Sequence, residues 1–390
     1  MNQRFYLILL AIAILAACWL AGCSKGEEPV PTGGADSVVV CYISTPLDTT
    51  DLVNSNVWDS VDEACIRIGE SADHTNEFGL GLVRTKAICD SEYVYFRFSW
   101  TDTSQSVKPG YWIHEACGNS GVCDVWTQNW KDIIDTIITT TVDTTVVPND
   151  TTVDTTIINT GIEEVNVFNP RWEREDIFAL LIDNGSNGSE GANCFLMCHD
   201  AGGSDTMYLT GGGNIDAWVW RAGRTDPLGL AEDMFWGSDR LYDDAVDSIW
   251  WRNAKNPNAN PEGDPPNRTV PKWAHRDREN YEGAFLFAED TINQEFAGID
   301  WQPYDGVPGY VLSHPATDTA QSRYDVKSAS LYELEYGTRL KWTIVLWRKI
   351  DTGNGDDFAF EPGQVYEATV AIMDHTDQLH SGSKPFKIMF

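Results

Sequence analysis

Three stretches of the chain alternate apolar and polar side chains with a period of two. In residues 92–100, Val94, Phe96, Phe98 and Trp100 share one face, while Tyr93, Tyr95, Arg97 and Ser99 share the other. That alternation predicts a half-buried strand. Residues 340–347 repeat it with Leu340, Trp342, Ile344 and Leu346 on one side. Residues 365–373 do so with Tyr366, Ala368, Val370 and Ile372. Helical spacing is scarce, and its best candidate is residues 240–251, with acidic residues near its start. Many strands with Gly and Pro turns and few short helices predict a mostly β protein, a β-sandwich of the immunoglobulin or carbohydrate-binding-module type.

Two stretches break the pattern. Residues 133–160 alternate Thr and Asp with Ile and Val around Pro148-Asn149-Asp150. This reads as an insertion without chemistry, either a projecting hairpin turned at Pro-Asn-Asp or a segment without fixed structure, because it has no large apolar face to bury. At the N-terminus, Arg4 precedes an apolar run from Tyr6 to Leu20, too short and too lightly flanked for a stable membrane span. The run ends in Leu20-Ala21-Gly22-Cys23, the form of a secretory signal with a lipobox, so residues 1–22 are expected to be removed and Cys23 to carry lipid. Residues 23–36, rich in Gly, Pro and acidic side chains, then form a flexible tether. A β-sandwich domain is expected over 37–390. Export makes the protein extracytoplasmic and lipid-anchored, and Ser24 after Cys23 favours the outer membrane, at its periplasmic face or the cell surface.

Composition narrows the partners. The formal net charge of the 390-residue chain is −32. So acidic a surface excludes nucleic acid as a partner and leaves the lipid as the contact with an anionic membrane. It suits either solubility alone or docking onto basic patches of other proteins. No phosphate loop, dinucleotide fingerprint or nucleophile constellation is present.

The candidate chemistry lies in Cys194-Phe195-Leu196-Met197-Cys198-His199, within a Gly- and Asn-rich loop. Two thiols close in sequence, with a histidine directly after the second, match covalent haem attachment. Each sulfur adds across one vinyl group, and the imidazole reaches the iron from one side. The motif has three residues between its cysteines rather than the usual two. A local disulfide or a partial zinc site is the alternative. Zinc would need further ligands, and no second Cys-x-x-Cys or His-x-x-x-His pair exists. Of the nine cysteines, Cys18 leaves with the signal, and Cys117 and Cys123 bracket a turn short enough to close as a disulfide. Cys41, Cys65 and Cys89 have no assigned partner.

Downstream of this motif run Met207-Tyr208-Leu209-Thr210, then Ile215-Asp216-Ala217-Trp218-Val219-Trp220-Arg221-Ala222 and Arg224-Thr225-Asp226-Pro227-Leu228-Gly229. Pro271-Lys272-Trp273, Asp305-Gly306-Val307-Pro308-Gly309-Tyr310, Trp347-Arg348-Lys349, Asp356-Asp357-Phe358 and Tyr366 to Asp374 follow in order. The succession resembles the ethylbenzene dehydrogenase-like haem-binding family, over most of residues 55–390 apart from the Thr-rich insertion. That family includes the haem-bearing gamma subunits of type II dimethyl sulfoxide reductases and stand-alone secreted cytochromes. The resemblance implies a β-sandwich with one haem in a pocket near one end of the sheets. Gamma subunits hold haem b between a Met and a Lys; Met207 matches their Met, and Lys384 falls near their Lys. With Cys194, Cys198 and His199 this chain departs toward the c-type members. His199 then takes one axial place and Met207 the other, with His380 or Lys384 as alternative axial ligands. Trp218, Trp220 and Arg221 are candidates to wall the haem or pair a propionate, although ordinary strand packing is the favoured explanation for the two tryptophans. His74, His114, His275, His314 and His375 have no motif support.

These readings give a c-type cytochrome lipoprotein carrying one haem c. It would exchange single electrons with redox protein partners, such as a molybdenum or multihaem oxidoreductase, and would not itself be an enzyme. The alternatives are a carbohydrate- or ligand-binding sandwich without haem, and a peroxidase-like haem protein whose iron lacks Met207.

Overall fold

A computed structural model describes residues 35–69, 81–102, 105–114, 126–128, 175–183, 185, 214–236, 240–242, 250–253, 271–277, 281, 283–293, 306–312, 322–336, 339–355, 357–374 and 380–390. Its architecture is a β-sandwich within the compact unit Ala35–Phe390. The chain begins with β1 (Ser37–Tyr42), β2 (Ala64–Ile68), β3 (Gly81–Cys89) and β4 (Tyr93–Thr101). After two short strands outside the sandwich, Trp112–His114 and Trp126–Gln128, it continues with β5 (Ile177–Asp183), β6 (Ile215–Arg221), β7 (Glu232–Trp236) and β8 (Arg240–Tyr242). Last come β9 (Lys327–Tyr336), β10 (Arg339–Lys349), β11 (Val365–Met373), β12 (Ser381–Gly382) and β13 (Phe386–Met389).

One sheet runs β8-β7-β6-β5-β11-β13 and the other β3-β4-β10-β9, with β2 beside β3 and β12 beside β11. Strand β1 joins them. Its first half pairs parallel with β13, Ser37 opposite Lys387, and its second half pairs parallel with β3, Val40 opposite Ala87. At the far edge, Ala231 N–H donates to the Val326 carbonyl and Ser328 N–H to that of Gly229, linking the start of β7 to β9. The two sheets are thus joined through β1 on one side and bridged at Leu230 and Lys327 on the other, while β8 and the rest of β9 are edge strands among the described residues.

The predicted faces of β4, β10 and β11 are the faces that meet. Phe96, Phe98, Trp100, Trp342, Ile344 and Leu346 from one sheet pack on Phe178, Leu180, Trp218, Trp220, Val370 and Ile372 from the other. Phe98 and Phe178 approach to 4.5 Å between ring centroids, and Trp220 meets Trp342 edge-on at 5.0 Å. Strand β4 is more deeply covered than alternation implies. On its outer face Tyr95 and Ser99 are buried too, and Tyr95 packs with Leu52, Trp58 and Val345. The cover is held by Trp58, whose Nε1–H donates to the Leu52 carbonyl at 2.7 Å.

Two expectations are corrected. The proposed helix over 240–251 begins and ends as strand: Arg240–Tyr242 pairs with β7, and Trp250–Arg252 pairs with Tyr310–Leu312. Backbone pairing at sheet edges outweighs a weak helical period there. The short helices expected elsewhere are 3₁₀ turns among the described residues, as at Asn56–Ser60. The Thr-rich insertion and the N-terminal signal lie outside the described residues.

Candidate functional site

The sheet containing β5, β6, β7 and β11 is apolar on both faces. Its inner residues fill the sandwich. Its outer residues form a second cluster of Ile177, Ala179, Leu181, Ile215, Ala217, Val219, Met234, Trp236 and Ala371. Register explains the grouping. Ala179 lies opposite Ala371 on one side and Val219 on the other, and Leu181 lies opposite Thr369 and Ala217. Three alanines and a threonine at the centre make this face flat. Thr369 is fully buried there, and its Oγ1 has no hydrogen-bond partner among the described residues.

The segment carrying Cys194, Cys198, His199 and Met207 connects Asp183 to Ile215, which face each other in the register and close this outer face at one end. Those four residues, and Cys23, Cys117 and Cys123, lie outside the described residues. Lys384 and His380 are described. Ser383 N–H donates to the Val370 carbonyl and Phe386 pairs with Ala368, so Lys384 and Pro385 together oppose Thr369 in a one-residue bulge. Lys384 is exposed there, two residues along β11 from the row of Glu367 and Asp183. His380 is half-buried and precedes Ser381, which pairs with Ile372, at the other end of the sheet where Met373 meets Ile177. From that end to Asp183 is the length of β5, about 20 Å. Lys384 is thus close to the row from which the cysteine segment departs, and His380 is far from it. Cys41, Cys65 and Cys89 are free thiols.

The propionate and haem-wall reading of the Trp-rich strand is not what the structure places there. Trp218 and Trp220 are fully buried between the sheets. Arg221 Nε donates to Glu232 Oε2 at 2.7 Å, and its Nη1 is 3.9 Å from Glu175. Arg323 holds the other Glu232 oxygen at 3.0 Å, and Arg224 donates to Glu175 at 2.6 Å. Burial pushes the Glu232 carboxyl up, but Arg221, Arg323 and Arg224 together pull it down to about 2. Arg221 is therefore committed to an internal ion-pair network, and Trp220 uses its Nε1–H on Asp226 at 2.8 Å.

A second network centres on Arg348, which is fully buried. Its Nη1 lies 2.7 Å from Asp216, 2.7 Å from Asp357 and 3.5 Å from Asp233. Its guanidinium also sits 5.1 Å from the Trp218 ring centroid. Burial drives Asp216 up to about 6 against the pull of Arg348, while burial opposes and the three carboxylates raise the affinity of Arg348 for its proton. Burial and the neighbouring Asp357 carboxylate thus outweigh Arg348, and Asp216 takes up a proton more readily than an ordinary aspartate.

These networks give physical meaning to motifs that sequence alone only ordered. The Asp216, Arg348 and Asp357 motifs meet at one point, and the Arg224 motif ties β6 to Glu175. Gly309 approaches the Gly110 carbonyl so closely that any Cβ would collide with it. Their members come from distant strands, so no spacing rule signals them.

A carbohydrate-binding module of family 9 from Caldicellulosiruptor kristjanssonii, solved with glucose, is 7% identical, with 90% of this chain and 94% of that chain covered at a TM-score of 0.27. A Bacteroides uniformis protein provisionally described as carbohydrate-binding is 6% identical, with 92% and 91% covered at a TM-score of 0.29. At such scores neither bears on what this chain binds. No curated protein matches the sequence. Residues 55–385 match the family model described as ethylbenzene dehydrogenase, and with most of its length inside that match the chain belongs to that family.

Proposed function

We propose that the chain is a c-type cytochrome lipoprotein that passes single electrons in an extracytoplasmic respiratory chain. The observation that carries this reading is the sequence Cys194-Phe195-Leu196-Met197-Cys198-His199 within a chain of the ethylbenzene dehydrogenase family, a family named for a redox enzyme. Cys194 and Cys198 would hold one haem through thioether bonds, His199 would take one axial position and Met207 the other. The outer face of the β5–β6–β11 sheet suits a flat apolar ring: alanines at its centre, a buried threonine hydroxyl, and the cysteine segment leaving from its Asp183 edge.

Bound haem supplies reversible one-electron chemistry at iron, with a potential set by its axial ligands. The chain's own residues position it and keep water from it. A Met ligand raises the potential relative to two histidines. With His199 and Met207 both holding the iron, the haem would supply electron transfer and offer no site for a substrate, which makes this reading a carrier rather than an enzyme. Cys23 would anchor it by lipid, at the outer membrane, while the acidic surface steers it onto a basic patch of a redox partner such as a molybdenum or multihaem oxidoreductase.

The carbohydrate-binding alternative asks for exposed aromatic platforms. Among the described residues Trp251 is the one well-exposed tryptophan, at 52%, whereas Trp58, Trp100, Trp218, Trp220, Trp236, Trp250 and Trp342 are buried. The test is spectroscopic, on protein exported and loaded by a host with haem-attachment machinery. Met207→Ala is expected to abolish the thioether-to-ferric-iron charge-transfer band and lower the potential, with His380→Ala and Lys384→Ala leaving the band in place. An unchanged band in Met207→Ala would refute the Met assignment. Its loss in Lys384→Ala or His380→Ala would move the ligand there.

A further inference from the structure

Three aspartates meet at one end of the sandwich, contributed by both sheets. Asp102 follows β4, Asp176 precedes β5, and Asp374 follows β11. One carboxylate oxygen from each lies within 4.8 Å of the other two. Asp102 and Asp176 are buried, at 1% and 0% exposure, and Asp374 is half-buried. Asp176 is fixed by donors to a single oxygen: Oδ2 accepts the Ser106 N–H at 2.8 Å and the Trp342 Nε1–H at 3.0 Å. Its Oδ1 is buried with no hydrogen-bond partner among the described residues.

The Arg348 network shows what such a group requires. Asp216, Asp233 and Asp357 crowd to the same separation, and there a guanidinium nitrogen sits among them. A buried carboxylate is costly unless a cation or hydrogen bonds compensate it. Around Asp176 the acting charges are of the wrong sign. Burial, then Asp102, and after them Asp374 raise its carboxyl well above the usual range, and only the bonds from Ser106 and Trp342 lower it. No Lys, Arg or His side chain pairs with Asp176 among the described residues.

We infer that Asp102, Asp176 and Asp374 form a binding site for a hard divalent cation, specifically calcium, clipping the end of β4 to the start of β5 and the end of β11. The donor set is all carboxylate oxygen, which suits calcium and magnesium over softer metals. Calcium binds oxygen at about 2.3–2.6 Å, so two oxygens on one ion stand at most about 5 Å apart. The triad meets that limit without side-chain movement. Magnesium, at about 2.0–2.1 Å, needs a tighter set and resists giving up its water. Carboxylates from two sheets, drawn to one ion, make that ion a link between the halves of the sandwich. Asp176 Oδ1 would gain the partner its burial demands.

The indole of Trp342 supplies a built-in reporter, because it already donates to Asp176. Full-length protein stripped with a chelator should show terbium emission on tryptophan excitation, saturating at one ion per chain and displaced by calcium. Calcium should also raise the thermal midpoint by a few degrees. Asp176→Asn and Asp374→Asn should each weaken the displaceable terbium signal about tenfold or more and remove the calcium-dependent shift. Asp374→Asn, at a half-buried position, serves if Asp176→Asn does not fold. Asp59→Asn, an exposed acid away from the triad, controls for loose binding to a chain of charge −32 and should behave as wild type. Absence of a calcium-displaceable signal would overturn the site. So would an equal calcium shift in wild type and Asp374→Asn. In either case the triad holds protons instead, and stability follows pH alone.

Discussion

Replacing Arg348 by Met keeps most of the side-chain volume and removes a positive charge shared by three buried carboxylates. Asp216, Asp233 and Asp357 then face each other with no counter-charge from that position. The folded variant can relieve the repulsion by taking up protons. Protonating one carboxyl of ordinary pKa near 3.9 costs about 1.4 kcal/mol for each pH unit above that value, or about 4 kcal/mol at pH 7. Breaking a buried ion pair on one side costs about 3–5 kcal/mol in general, so the two routes agree on a loss of about 4 kcal/mol at pH 7. The sign of the pH dependence follows. In the variant the folded state already binds an extra proton at pH 7, whereas wild-type Asp216, at about 6, takes up its own only as pH falls, so the deficit shrinks more gently, to about 3 kcal/mol at pH 5 if one proton suffices. Urea denaturation of wild type and Arg348→Met at both pH values measures this directly. A loss below about 1 kcal/mol at pH 7, or one that does not change between pH 7 and pH 5, would refute the account of this network.

Glu232 makes the opposite contribution. Its carboxyl is held at about 2 against an ordinary 4.5, so it stabilises the fold above pH 4.5 by about 3 kcal/mol and loses that as pH falls toward 2. Acid titration of Glu232→Gln should lack this limb, and an unchanged acid midpoint would exclude it. Asp216, raised to about 6 from 3.8, favours the fold below pH 3.8, with that contribution lost as pH rises through 6. Asp216→Asn should therefore flatten stability between those limits in a denaturation series, and an unaltered slope would contradict the assignment. Trp218→Ala empties the centre of the sandwich and should cost about 3–5 kcal/mol, seen as a lower urea midpoint with unchanged m-value. A cost under about 1 kcal/mol would mean the two sheets do not depend on that contact.

What could be read from sequence, and what could not, divides along physical lines. The strands at residues 92–100, 340–347 and 365–373 were legible because one face of each is buried against the opposite sheet, and burial writes a period of two. The predicted helix over 240–251 failed at its two ends, Arg240–Tyr242 and Trp250–Arg252, because short paired strands are held by backbone hydrogen bonds that leave little trace in side-chain pattern. Arg221 looked available for a propionate because nothing local reveals Glu175 and Glu232 as its partners. Asp216 and Arg348 are 132 residues apart, and their meeting depends on the whole topology. The family resemblance reached further. Its motifs at Asp216, Arg224, Gly309, Arg348 and Asp357 mark ion pairs and close backbone approaches that hold the sandwich together.

The most direct measurement is a pyridine haemochrome spectrum, with intact mass, of the mature protein exported by a host that attaches haem. The account predicts one haem per chain that survives acid-acetone extraction, a reduced spectrum of the thioether-bonded type, and a mass exceeding lipid plus polypeptide by that of one haem. A polypeptide of bare lipidated mass with no Soret absorption would contradict it.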